Sequence, residues 1–508
     1  MEAHRFSGWR SVITLFLALT VALGVRPAAR ERQQINPQHP RYELIDLGDF
    51  GGPQSYLNVN AKVLSDSGVV AGFADTLMSD PFPSACFNLD CFVSHAFQWR
   101  KGLLTDLGAL APGWSSAAFW ESDTGLIVGI SENGVIDPLT GLPELHGVLW
   151  KDGRIIDLGT LGGNESLALA VNNVGQVVGF SANTVADPFS LAGFGTQTRA
   201  FLWHNGVMQD LNTLGGPDAA AVALNEHGQV AGFSYTSSTP GSAGVPQIDP
   251  FRWQIGKMTD LGSLGGPAGM PIAINNSGQV VGQMDPPGNY KGFQLFHPFL
   301  WDEGVLTDLG TFYPPLGFGT ASWINDRGDV VGFSDNIIFD FPFLWKDGVK
   351  TDLGDVAGDT CAYALGINLS GQTVGRSGPC GSFAHAFLWE RGGPILDLNT
   401  LIVSANGVQV TNAYFINERG EIAALGLLPD GNQHAFLVVP CGEGDAECEN
   451  SAAAADGLTQ NNPTSFARRL SASAAGHSAS GGGGLLERLN AWKIHGRPIH
   501  ALRGTPLK

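Results

Sequence analysis

Residues 385–401 read HAFLWERGGPILDLNTL, and close variants recur along the chain: HAFQWRKGLLTDLGAL from His95, HGVLWKDGRIIDLGTLGG from His146 and HPFLWDEGVLTDLGTF from His297. A second phrase alternates with them. It reads VNNVGQVVGFS from Val171, LNEHGQVAGFS from Leu224, INNSGQVVGQ from Ile274, INDRGDVVGFS from Ile324, INLSGQTVGRS from Ile367 and INERGEIAAL from Ile416, with degenerate copies from Val63 and Trp120. The repeated tryptophans (Trp99, Trp150, Trp203, Trp253, Trp301, Trp345, Trp389) stand 44 to 53 residues apart. A third element, x-x-D-L-G or a close variant, carries Asp46, Asp106, Asp157, Asp210, Asp260, Asp308, Asp352 and Asp397. Short phrases repeated at this period point to a propeller.

Each phrase has strand chemistry. GQVVGFS and HAFLW are short, β-branched or aromatic, and bounded by glycine. In INNSGQVV the Asn and Gly frame a tight turn, and Asp347-Gly348 in FLWKDGVKTDLG frames another. The small-residue stretch before each I-N, as in SLALAVN and AAAVALN, supplies a fourth strand. The ends are complementary: YELIDLG from Tyr42 is only a last strand, and HAFLVV from His434 lacks one. Pairing them removes two open edges. The expectation is therefore an all-β propeller of eight four-stranded blades, ordered from axis to rim A (ending in I-N), B (GQVVGFS), C (HAFLW) and D (x-x-D-L-G). The B–C loops and the D-to-A connectors then share one face, and the A–B and C–D hairpins share the other.

These phrases resemble the HAF-repeat family, bacterial repeat proteins predicted to be extracellular, over residues 42–440. The resemblance implies export and a propeller-like repeat architecture, and it carries over no catalytic residue. The chain departs from the pattern at Arg199, Asp249 and Phe341, where other copies have His, and at Trp120-Glu121.

Composition sets further bounds. The chain has 508 residues, 69 of them Gly, and a formal charge of −19. So acidic a surface repels phosphate backbones, which excludes nucleic acid as a partner. Residues 1–29 read as a signal peptide: Arg5 and Arg10, then an uncharged run at 11–25, then Ala28 and Ala29. That run is shorter than the roughly 20 residues of a spanning helix, so no membrane span is expected after cleavage. A short linker occupies 30–41, and a low-complexity, basic tail occupies 441–508, with Arg488, Lys493, Arg497, Arg503 and Lys508 near its end. The cysteines fall into near pairs Cys86/Cys91, Cys361/Cys380 and Cys441/Cys448, read as disulfides of an exported chain.

The sites weighed are few. The B–C loops are long early (74–94, 131–145, 181–198, 234–248) and short late (335–340, 428–433). Long loops on one face often carry recognition. Asp80, Phe82, Asp137, Asp187, Phe189, Asp249 and Phe251, from the Asp-Pro pairs of these segments, are the candidate binding residues, although Asp-Pro also favours turns by itself. Histidines on different blades cannot share an ion, so no metal or other cofactor is expected, and the His and Asp of the repeat read as within-blade hydrogen-bonding and turn-capping groups. No G-x-S-x-G, H-E-x-x-H, P-loop or Rossmann signature occurs. The sequence thus leads to a secreted or cell-envelope, non-enzymatic, monomeric propeller that binds a protein or a glycan through its early loops. The rivals are a secreted hydrolase or lyase with acids at the central channel, and a structural surface component.

Overall fold

The computed structural model describes residues 40–442, apart from positions 84, 89, 242, 243, 245, 291, 292, 315, 316, 336, 337 and 391. The expected signal peptide, most of the linker, the basic tail and Cys448 lie outside the described residues.

Blade 3 shows the unit. Its strands are Ser166–Val171, Val177–Ala186, Thr196–His204 and Val207–Asp210, paired antiparallel in that order. Eight such four-stranded antiparallel sheets form a β-propeller, and the other ordered segments are a two-stranded hairpin and a 3-10 turn at Leu398–Thr400. Blade 8 is assembled from both ends of the chain: Tyr42–Asp46 runs antiparallel to Gln433–Pro440, with Tyr42 opposite Pro440 and Asp46 opposite Phe436.

The motifs explain the packing. The phenylalanine of H-A-F is fully buried in blade after blade, at Phe97, Phe201, Phe251, Phe299, Phe343, Phe387 and Phe436. The tryptophan two residues on packs against the blade; Trp99, Trp150, Trp203, Trp253, Trp301 and Trp389 are all buried. In blades 2 to 7 the inner strand carries a one-residue bulge, between Ala168 and Ala170 in blade 3. The bulge turns the Leu167 carbonyl onto Gly179, the glycine of QVVGFS, where any Cβ would collide with that oxygen. The same collision recurs at Gly129, Gly232, Gly282, Gly332 and Gly375, so these blades require glycine there, whereas blade 8, with a different bulge pattern, has Ala424.

The I-N asparagine joins the blades. Asn172 Oδ1 accepts the Gln176 N–H at 3.0 Å and closes its own turn, while its amide donates to the Asn225 carbonyl of the next blade at 3.2 Å. The relay continues from Asn225 to Asn275 (2.9 Å), Asn275 to Asn325 (3.0 Å), Asn325 to Asn368 (3.0 Å), Asn368 to Asn417 (3.1 Å) and Asn417 to the Ser65 carbonyl of blade 1 (3.0 Å). Ser65 and Ser122 are too short to continue it. There the Asp66 N–H donates to Asp123 and the Thr124 N–H to Asn173 instead.

Because the relay amides are buried and satisfied at both ends, losing one leaves buried groups unpaired. Asn275→Ala is expected to destabilise the protein by about 2–3 kcal/mol. Denaturant unfolding measures this, with the exposed Val207→Ala, expected within about 0.5 kcal/mol of the parent, as the reference.

Candidate functional site

The axis is filled. Where other blades have a single bulged residue (Leu169, Val222), blade 1 inserts residues 58–62 between its inner strand Gly51–Tyr56 and the turn at Ser65. Val59 and Ala61 of this insertion pack in one cluster with Leu365, Tyr414 and Phe415, with Trp120 and Trp323 against it. Trp120 and Trp323 approach to 6.0 Å between ring centroids, and Trp323 meets Phe415 at 5.3 Å. Asn60, with φ of 53°, and Lys62 face opposite sides of this plug.

On the hairpin side lies a funnel of about 970 Å³, including its open mouth. Asp66, Asp123, Glu226, Asp326 and Glu418 line it, with Lys62 paired to Asp123 at 2.6 Å. These acids are tied into the blade seams: each accepts the backbone N–H of a neighbouring blade, as Glu226 does from Asn173 at 2.9 Å and Asp326 from Asn276 at 2.8 Å. On the loop side, a smaller cavity is lined by apolar Leu169, Val222, Phe233 and Ile272, with Asn60 and Gln283 at its edge.

The long loops divide between two tasks. Part of their length roofs the axis: Phe87, Leu191, Ala192 and Phe194 are buried in the core cluster that contains Phe180 and Phe233. Cys86–Cys91 closes the loop that carries Phe87. The excess length is therefore not all free for recognition, because the apolar basin beneath it has to be covered. The remainder stands clear. The second strands of blades 1, 2 and 3 (Val70–Ser79, Ile127–Ile136, Val177–Ala186) each run ten residues, with the first six buried and the last three exposed. Those tips present Leu77 (78% exposed), Met78, Val135, Ile136 and Val185, and the loop after the second presents Leu139 (65%).

The sequence-derived binding residues sit beneath this crest. Asp80, Asp137, Asp187 and Asp249 are buried. Asp80 accepts the N–H groups of Phe82 and Phe87, Asp137 that of Leu139 and the Asn164 amide, Asp187 that of Phe189, and Asp249 the Gln247 amide. This is turn chemistry. Phe82 and Phe189 are half-buried. Asp249 and Phe251 belong to the strand Ile248–Gln254 rather than to a loop, and Phe251 is the blade's core phenylalanine. The exposed aliphatics were missed because the alternation of TLMS, NGVI and NTVA reads as ordinary strand. Only the height of the strand above the blade exposes them.

The repeated histidines bond within their blades. Nδ1 of His95, His146, His297 and His434 stands 2.9–3.0 Å from Asp106, Asp157, Asp308 and Asp46, so that nitrogen carries the proton. The same aspartates cap the following glycines, as Asp157 does Gly159 at 2.8 Å. Arg199 replaces the histidine with a two-pronged pair to Asp210, and His385 turns to Asp359 instead of Asp397. Burial pushes Asp46, Asp106, Asp157 and Asp308 up, but the histidine and the glycine N–H outweigh it and hold them below their ordinary range.

Acid pairs under the loops behave oppositely. Burial first, then Asp187 among its neighbours, pushes the fully buried Asp218 up to about 8, and Asp187 Oδ2 finds no N–H or O–H donor. Burial and the neighbouring negative charge both disfavour the ionised form of Asp218. Asp75, raised by burial and by Asp90, repeats the arrangement in blade 1, and burial raises Glu132 to about 7. Cys361–Cys380 pins the loop of blade 7.

No family model matches the sequence, and the search of curated proteins finds no relative. Among solved structures, a Trypanosoma rangeli sialidase in complex with the inhibitor DANA aligns at 9% identity and a TM-score of 0.28, over 80% of this chain and 61% of that one. A GH93 alpha-L-arabinofuranosidase of Fusarium graminearum in complex with arabinobiose aligns at 8% identity and 0.28, over 79% and 98%. The chain thus spans about 61% of the length of the sialidase. Likenesses this weak say nothing of activity; the class rests on the eight blades themselves, those of a β-propeller.

The titrations combine into one profile. The raised carboxyls (Asp218, Asp75, Glu132) and the raised His434 and His385 stabilise fully below their unfolded values, and that stability is lost as pH climbs through the folded ones. The depressed aspartates act in the other direction and lose theirs only as pH falls below about 4. The thermal midpoint is therefore expected to peak near pH 5 and to fall by pH 8.5. Asp187→Asn, whose amide can donate to Asp218, is expected to raise the midpoint at pH 8.5 while changing little at pH 5. Scanning calorimetry at the two values checks both.

Proposed function

We propose that this chain is an exported, non-enzymatic propeller that docks a protein through the aliphatic crest of blades 1–3. The observation that carries the reading is the recurrence of exposed apolar residues at matching heights on neighbouring strands: Leu77 and Met78, Val135 and Ile136, Val185. Exposed aliphatics in such an array mark protein contact surfaces. They leave a sugar's hydroxyls unsatisfied, which favours a protein over the glycan alternative. Two disulfides fit an extracellular setting, as does the resemblance to the HAF-repeat family. Among the described residues no helix is long and apolar enough to cross a membrane. The rival hydrolase or lyase reading would draw on the acids of the axial funnel, Asp66, Asp123, Glu226, Asp326 and Glu418, but each of them already accepts a backbone N–H of a neighbouring blade.

The test is a binding screen of the full chain against secreted proteins and glycans, repeated with Leu77→Glu, Val135→Glu and Val185→Glu combined. All three positions are exposed, so fold stability should hold. A protein partner weakened about tenfold or more supports the reading. Partners retained at full affinity by the triple variant, or glycans alone among the binders, overturn it.

A further inference from the structure

The residue that follows the blade glycine is a buried phenylalanine or another apolar group in most blades, with Phe73, Phe180 and Phe233 in the core. In blade 7 it is Arg376, on the strand Thr373–Gly378. An arginine in a phenylalanine's place calls for a partner, and the usual one is absent. Among the described residues the guanidinium makes no hydrogen bond or ion pair, and its Nε is buried without an acceptor.

The neighbourhood holds this side chain in one pose. Its guanidinium lies over the Phe383 ring at 4.1 Å and the Tyr363 ring at 5.0 Å. Those rings meet edge to face at 5.1 Å, and Phe333 of blade 6 packs on Tyr363 at 4.4 Å. The nearby acid Asp340 accepts the Tyr363 hydroxyl at 2.5 Å and feels the Arg376 charge, but no ion pair forms between them. The Cys361–Cys380 disulfide ties the start of Tyr363's strand to the loop that carries Phe383.

We propose that Arg376 anchors a second, separate binding site on the loop side of blade 7, for a carboxylate carried on an apolar group. Phe383 and Tyr363, nearly perpendicular to each other, pack against the guanidinium, and with Nε buried its terminal nitrogens are the donors left to match a carboxylate. Asp340 and Asp335 act on the same aromatic cluster, and their charge disfavours a dianion such as phosphate. Ile338 and Phe339 are exposed on the loop of blade 6 whose Ile338 carbonyl reaches Cys380 of the disulfide, so that loop offers apolar surface on the same side of blade 7.

Benzoate is the probe, with benzamide as its uncharged isostere and inorganic phosphate as the dianion. Binding to the full chain is followed by calorimetry and by the Arg376 Nε–H resonance. Benzoate is expected to shift that resonance. Its affinity should fall about tenfold or more in Arg376→Phe, which restores the residue of blades 1, 3, 4 and 6, and by less in Arg376→Lys, which keeps charge without the fork. Asp340→Asn should tighten benzoate about threefold by removing a like charge, an effect that a purely structural arginine would not produce. Equal benzoate affinity in the parent and both Arg376 variants, benzamide as tight as benzoate, or phosphate tighter than either overturns the proposal. The crest variants of blades 1–3 leave this readout untouched, so either site can fail alone.

Discussion

Blades of a propeller meet face to face, so their backbones do not form a continuous ladder as neighbouring strands do; backbone bonds between blades are local, as from the Glu121 N–H to the Lys62 carbonyl, and the recurring joint is made by side chains. Here the buried amide of the I-N asparagine makes it. One end of Asn225, Asn275, Asn325 or Asn368 closes its own turn, and the other reaches the equivalent carbonyl of the next blade. A buried amide is costly unless every group is paired, so each blade that folds correctly presents its neighbour with an obligatory partner. Asn417 brings the relay to Ser65 and so ties blade 8 to blade 1.

A relay set that deep leaves a narrow axis, and the chain fills it. The insertion in blade 1 with Trp120, Trp323 and Phe415 separates the two faces. On one, carboxylates hold neighbouring backbones. On the other, an apolar basin demands a roof, and the long loops of blades 1 and 3 supply it with Phe87, Leu191 and Phe194. The two proposed binding surfaces accordingly lie away from the axis, at the strand tips of blades 1–3 and at Arg376 of blade 7.

Much of this was legible in the residues. The four-strand unit, the composite blade, the packed Trp of H-A-F-L-W, a His that bonds within its blade, the Asp-capped turns and the Cys86–Cys91 and Cys361–Cys380 pairs all follow from period, spacing and turn chemistry; the burial of the Phe and the Asp as the histidine's partner came only with the structure. The unequal lengths of the early loops were legible. The surroundings of their residues were not: Asp80, Asp137 and Asp187 stood out by composition and are buried in turns, whereas Leu77, Val135 and Val185, which are exposed, looked like any strand residue.

The sequence by itself determined what is local or periodic, because a strand's alternation, a tight turn's Gly or Asn and a repeat's spacing act over a few residues at a time. Only the tertiary structure decided which acid meets which, that Asp218 is buried beside Asp187, that blade 1's insertion plugs the axis, and that Arg376 lies on two rings without an acceptor. Those outcomes depend on distances between blades far apart in the chain, and burial and charge pairing take their energies from such distances and not from order along the chain.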